Sequence, residues 1–296
     1  MYRFIPFLLL ATSACAELDP PTLIKRDRVL GAKVTVDVEP TRAWPLPGES
    51  VTVTWVTASP GAAPTFSWIL AACPAATSTG LPACAGPLVA TSQAAGPVPF
   101  LSVPIPADVA AEAMVVTGAI CASGTPVLGD STTMASCDDG SRADVVSQHI
   151  FIARDGEENH HPDLAGAPFT LAGADWGGSA APGCDDALPV VQAGSERTLI
   201  GVTFGGSDRE AFAVDHDPAP RREELQLASF ATAGEVIQQH TYVDADDARE
   251  STPVALEWEP PAADEVPAGG LPVTFYFVVR DLRGGVDATT RALCVR

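Results

Sequence analysis

The stretch Pro47-Gly48-Glu49-Ser50-Val51-Thr52-Val53-Thr54-Trp55 decides how the chain is read. A proline–glycine turn gives way to strict alternation, with Val51, Val53 and Trp55 on one side and Thr52 and Thr54 on the other. That is the period of a strand with one buried face. Working outward, Val34, Val36 and Val38 alternate with Thr35 and Asp37, and Phe66, Trp68 and Leu70 repeat the pattern before Cys73. Strands with one apolar face need a second sheet to cover it. Further strands are expected at residues 100–105, 114–121 and 145–153, with Cys137 in the last intervening loop. About seven strands at such spacing is what an immunoglobulin-like sandwich requires.

A second series follows a polar stretch at 155–163 that carries Pro162 and reads as an interdomain linker. Its strands are expected at 198–204, 224–230, 236–243, 254–258, 273–279 and 288–295. Asp281-Leu282-Arg283-Gly284-Gly285 forms the hairpin turn between the last two. Residues 221–239 have some helical character around Glu223, Glu224 and Leu225, but Ser229, Thr232 and Gly234 interrupt any 3.6-residue period, so strand is the reading taken. The fold class is therefore all-β: two immunoglobulin-like β-sandwich domains in tandem, at 25–154 and 164–296.

Composition agrees. In a chain of 296 residues with 46% hydrophobic and 18% charged residues, 27 prolines and 25 glycines favour short strands and turns over long helices. The net charge of −20 excludes the basic footprint that nucleic-acid binding requires. Most of the excess acid lies after residue 155.

The N-terminus reads as an export signal over residues 1–14: Arg3, an apolar run from Phe4 to Ala11, then small residues up to Cys15. Residues 15–24 follow as a tether. Seven cysteines is an odd number for an exported chain, and setting Cys15 aside leaves six. Sequence proximity selects the pairs Cys73–Cys84, Cys121–Cys137 and Cys184–Cys294. A zinc site is disfavoured because no C-x-x-C pair occurs.

Catalytic and cofactor signatures are weak. The chain has no G-x-S-x-G, and Ser179, Ser195 and Ser207 sit in loops. Gly205-Gly206-Ser207 lacks the lysine of a phosphate-cradling loop. The pair His160-His161 and the isolated His216 are read as solvated. Asp244, Asp246 and Asp247 form a carboxylate cluster whose hard oxygen ligands make it a calcium candidate, although the EF-hand glycine is missing and a solvated acidic loop is the simpler reading. Trp176, in a glycine-rich loop, is read as packing between domains in preference to stacking on a sugar. No cofactor and no enzymatic activity are expected.

Two resemblances extend this reading. Leu10-Ala11-Thr12-Ser13-Ala14-Cys15 resembles the lipobox of bacterial lipoproteins, which implies lipidation of Cys15. Ala16 at the next position is similar to lipoproteins sent to the outer membrane. Arg28-Val29-Leu30, Pro47-Gly48-Glu49-Ser50-Val51 and Phe66-Ser67-Trp68 resemble the first Ig-like domain of large families of uncharacterised lipoproteins of GC-rich Gram-negative bacteria. Phe230-Ala231-Thr232-Ala233-Gly234 and residues 277–285 resemble the closing strands of a PKD-like module. The resemblance implies a scaffold anchored to a membrane through Cys15 and facing the periplasm or the surface. Two roles follow as expectations: a non-enzymatic binding, adhesion or assembly module with an envelope protein or polysaccharide partner, or a structural spacer or accessory subunit without its own ligand.

Overall fold

A computed structural model describes residues 20–61, 64–76, 84–129, 135–154, 157–177, 183–184, 187–213 and 220–296. Cys15, Ser179, His216 and the export signal lie outside the described residues. The chain is all-β, as its alternation implies, and the helical turns among the described residues are two short 3-10 segments, Gly206–Asp208 and Ala263–Glu265.

The first sandwich is built from β1 (Arg28–Val36), β2 (Ser50–Ala58), β3 (Phe66–Pro74), β4 (Ala90–Gly96), β5 (Phe100–Pro104), β6 (Ala113–Cys121), β7 (Pro126–Leu128), β8 (Ala135–Cys137) and β9 (Asp144–Phe151). A sheet of order β1-β2-β5 faces one of order β4-β3-β6-β9, and β7-β8 forms a separate ribbon. The alternating residues meet in the middle: Val34, Val51, Val53 and Trp55 from one sheet pack with Phe66, Trp68, Leu70 and Ile150 from the other. Each fully buried aromatic or aliphatic side chain of this kind contributes roughly 1.5–3 kcal/mol of burial free energy. The first strand is shorter than its alternation predicts. The chain turns after Val36, which leaves Val38 73% exposed. Strand β4 went unpredicted because Ala90-Thr91-Ser92-Gln93-Ala94-Ala95-Gly96 is small and polar. Its register is imposed by pairing along the whole of β3.

The second sandwich comprises β10 (Phe169–Leu171), β11 (Ala174–Asp175), β12 (Val190–Val191), β13 (Thr198–Gly205), β14 (Ala211–Phe212), β15 (Arg221–Arg222), β16 (Leu225–Ala231), β17 (Glu235–Val236), β18 (His240–Val243), β19 (Ser251–Glu259), β20 (Leu271–Arg280) and β21 (Val286–Val295). Its sheets have the orders β11-β10-β13-β19-β17 and β12-β21-β20-β16-β18. Stripped of edge pieces, the wiring equals that of the first sandwich: β10-β13-β19 matches β1-β2-β5, and β18-β16-β20-β21 matches β4-β3-β6-β9. The expected strand at 236–243 is split, Val236 pairing with Trp258 and His240 with Ala228. The core is aromatic. Trp258 and Trp176 stand edge-on to Phe275, with centroids 5.2 and 5.3 Å away. Trp176 is thus neither a sugar platform nor an interdomain packer. It lies inside the second sandwich, with its indole N–H donating to the Ala292 carbonyl.

The cysteine pairs are Cys73–Cys84, Cys121–Cys137 and Cys184–Cys294. The first two hold loops at the ends of β3 and β6. The third spans 110 residues and pins the approach to β12 against β21, where Val190 pairs in parallel with Cys294. A cross-link closing so long a loop restricts the unfolded chain most. Replacing Cys184 and Cys294 together by alanine is expected to destabilise the second sandwich by about 3 kcal/mol, lowering its melting temperature by roughly 10 °C in calorimetry.

Candidate functional site

Residues 159–161, in the stretch expected as a linker, are held at the junction by hydrogen bonds. Backbone bonds tie them to the first sandwich: the Ala43 N–H donates to Asn159 O at 2.7 Å and the His161 N–H to Thr41 O at 2.8 Å. Their side chains point into the second. Asn159 is fully buried, and its Nδ2 donates to Asp281 Oδ2 at 2.8 Å. His160 Nδ1 lies 2.5 Å from Glu210 Oε1, and His161 Nδ1 accepts the Val286 N–H at 3.0 Å. The last bond fixes the His161 tautomer, since Nδ1 must be the unprotonated nitrogen. Residues 20–24, expected as part of a tether, also dock. Thr22 and Ile24 exchange backbone bonds with Ala231, and Ile24 is buried against Ala58, Ala228 and Phe230.

At the centre of this junction stands Arg283, in the hairpin turn between β20 and β21. Its Nη1 donates to Glu223 Oε1 at 2.7 Å, and Glu223 is only 1% exposed. Its guanidinium carbon lies 4.7 Å from the ring centre of Trp44, in the first sandwich, and 4.5 Å from that of Phe212, in the second. A planar cation between two aromatic faces and paired to a desolvated carboxylate is held in position and orientation together. The turn is shaped by Asp281, whose Oδ1 accepts the N–H groups of Arg283 and Gly285, and by Gly284 at φ +113°. Burial, and then the Asp281 carboxylate, push Glu223 up to about 7, and burial raises Asp281 as well. Burial, with a further push from the Lys33 ammonium, drives His161 down to about 4.

Beside the junction lies an open groove with a cavity volume of about 1000 Å³, between β1 and β9 of the first sandwich. Trp55, Gly31 and Ala32 line one side and Val146 and Gln148 the other, with Arg280 reaching in from the second sandwich. Strand β1 bulges at Leu30, where its pairing with β2 skips a residue, and the displaced carbonyl accepts Arg280 Nη2 at 2.9 Å. Gly31 permits this approach, because a Cβ there would stand 2.7 Å from Arg280 Nη2. Val127 and Val145 form an apolar rim, 49% and 48% exposed.

The sequence-level candidates are distributed differently. Asp244 Oδ1 accepts the Asp246 N–H, and Asp247 takes the guanidinium of Arg249, which holds its carboxyl down at about 2. The loop carbonyls of Asp244 and Asp247, natural calcium ligands, accept Arg209 Nη2 and Nη1 at 2.5 and 2.6 Å. Those two carbonyls are thereby taken by Arg209, and among the described residues no group of three or more His, Cys, Asp or Glu is arranged to hold a metal. Ser207 lies exposed on a 3-10 turn, and Ser195 lies in the loop before β13. Arg280, Arg283, Glu223, Asn159 and Asp281 were not singled out from sequence. The one available signal was the charged turn closing an otherwise apolar strand.

No family model matches the chain, and no curated protein matches it. Among solved structures, Escherichia coli alpha-2-macroglobulin activated by porcine elastase is similar at 10% identity, over 92% of this chain and 22% of that one, with a TM-score of 0.24. At that TM-score the likeness carries no conclusion about this chain.

Removing the cation from a buried pair strands the carboxylate. Arg283→Ala is therefore expected to destabilise the second sandwich, which holds both partners, by about 3–5 kcal/mol in denaturant titrations above pH 7, where Glu223 is ionised. Glu223 and His161 act oppositely on acid stability. Between pH 4.5 and 7 the folded chain keeps a proton on Glu223 that the unfolded chain has lost, so this contribution falls as pH rises. Between pH 4 and 6.5 the unfolded chain protonates His161 and the folded chain does not, so that contribution rises with pH. Denaturant titrations should show Glu223→Gln gaining stability with pH across this window and His161→Gln losing it.

Proposed function

We propose that the chain is an exported, lipid-anchored envelope protein whose two sandwiches act as a binding or assembly module without enzymatic activity. The cysteine pattern carries the reading: six thiols are joined in three bridges, and the seventh in the sequence is Cys15, within the lipobox-like stretch. Bridged thiols suit an oxidising compartment, and a cysteine left over after the pairs are made is free to carry an acyl anchor. More than one acyl chain would hold the protein stably at a bilayer, since each buried methylene contributes about 0.8 kcal/mol. The groove between β1 and β9 supplies a surface suited to a partner, and protein is favoured over polysaccharide because that groove is flanked by strand edges.

The junction favours a second reading in part. Arg283, seated on Glu223 and Phe212 of its own sandwich, reaches Trp44 of the other, a contact that a spacer held in one orientation within an envelope complex would need. The two roles separate experimentally: saturable binding by the isolated chain supports the first, and a stoichiometric cross-linked partner that cannot be replaced by a free ligand supports the second.

The anchor is tested by intact mass of protein extracted from membranes of a Gram-negative host. The expected product begins at Cys15 with added acyl mass, and its remaining six cysteines alkylate only after reduction. Cys15→Ser is expected to leave the membrane fraction. An unmodified soluble product from the unaltered chain would overturn the anchored reading.

A further inference from the structure

The two sandwiches share one wiring but treat one edge differently. In the second, the outer edge of β21 is covered by β12, a short extended segment that pairs in parallel through Val190 and Val191. In the first, β9 is the counterpart of β21. Among the described residues β9 pairs only with β6, so its outer edge faces the groove. Among the described residues, no strand takes in the first sandwich the position that β12 occupies in the second. Strand β9, Asp144-Val145-Val146-Ser147-Gln148-His149-Ile150-Phe151, contains no proline, lysine or arginine, the residues that usually guard an edge against strand addition.

The groove also holds a charge without a counter-charge. Arg280 is partly buried, its guanidinium donates to the Leu30 carbonyl, and no carboxylate among the described residues pairs with it. Burial alone lowers its pKa, as expected for a guanidinium withdrawn from water with no anion beside it. Arg142 lines the same groove. Asp144, the carboxylate on its wall, is engaged by the Val29 N–H at 2.9 Å and by Arg26 at 3.8 Å. In a chain of net charge −20, this groove is locally cationic.

We infer that the groove between β1 and β9 receives an extended acidic peptide segment of a partner protein, which adds to the edge of β9 as β12 adds to β21 and places a carboxylate on Arg280. Main-chain bonds to β9 supply affinity, the rim residues Val127 and Val145 take apolar side chains on alternate positions, and Arg280 selects for acid. The inference rests on the binding-module reading and gives it a partner class.

The test uses the purified full chain and a blocked peptide of about eight residues alternating valine and glutamate, a length matched to β9. Binding is followed by fluorescence anisotropy and by amide hydrogen exchange. The expected result is slowed exchange at the amides of β9, loss of binding when alternate peptide nitrogens are methylated, and weakening on the order of tenfold or more in Arg280→Gln. Should Arg280→Gln prove unstable, a peptide with glutamine in place of glutamate puts the same question to the unaltered protein and is expected to bind as weakly. Absence of binding, protection away from β9, or affinity indifferent to both N-methylation and the glutamate-to-glutamine exchange would overturn the inference. These outcomes are independent of the anchor: an acylated chain that ignores the peptide sinks this inference alone, and a peptide-binding chain without acylation sinks the envelope reading alone.

Discussion

The junction of the two sandwiches turns on a partly buried guanidinium, that of Arg283, which is held within one sandwich and meets a tryptophan of the other. Its charge meets Glu223 and its two faces meet Trp44 and Phe212, one from each sandwich. Desolvating such a pair costs several kcal/mol per ion, so its net contribution to stability is small compared with the cost of breaking it. The interaction therefore works as a device of position. Glu223 and Phe212 hold the Arg283 guanidinium from its own sandwich, and a rotation of one sandwich against the other would take Trp44 off it and break the bond from the Trp44 indole N–H to the Arg283 carbonyl. The remaining contacts across the junction, Tyr276 with the Ser59 backbone, Lys33 with Asp287 at 2.9 Å and Arg280 with Leu30, are consistent with that single orientation.

The same junction explains why the groove exists. Strand β1 cannot run alongside β9 for its full length, because its bulge at Leu30 turns a carbonyl toward Arg280 of the other sandwich. The strands meet near Val29 and Asp144 and enclose an open space further along. In the second sandwich the equivalent edge is closed by β12, which the Cys184–Cys294 bridge holds in place. Two copies of one wiring thus differ at the edge where a disulfide-held strand is present in one and a cation from the neighbouring sandwich is present in the other.

The all-β class was legible because Val51, Val53, Trp55, Phe66, Trp68 and Leu70 alternate with polar residues, and burial on one face of a sheet leaves that trace whatever lies around it. The cysteine pairs could be read as well, because bridging neighbours in sequence leaves a single long-range pair. Strand β4 left no trace, since its side chains are small and its pairing with β3 is made by backbone. The surroundings of the Asp244, Asp246 and Asp247 loop were no more legible: Arg209, 35 and 38 residues from Asp244 and Asp247, donates to their carbonyls in the folded chain.

What the sequence by itself determined is local and periodic: most strand positions, turns, cysteine partners and an acidic net charge. Only the tertiary structure decided that residues 159–161 are held between the sandwiches, that Trp176 is core, that Arg283 meets Trp44 across the junction and that Arg280, unpaired with any carboxylate among the described residues, stands in a groove. The physical reason is separation along the chain. Arg283 and Glu223 are 60 residues apart and meet only when the second sandwich closes, Asn159 and Asp281 are 122 apart, and Arg280 and Leu30, 250 apart, become neighbours only after both sandwiches have formed.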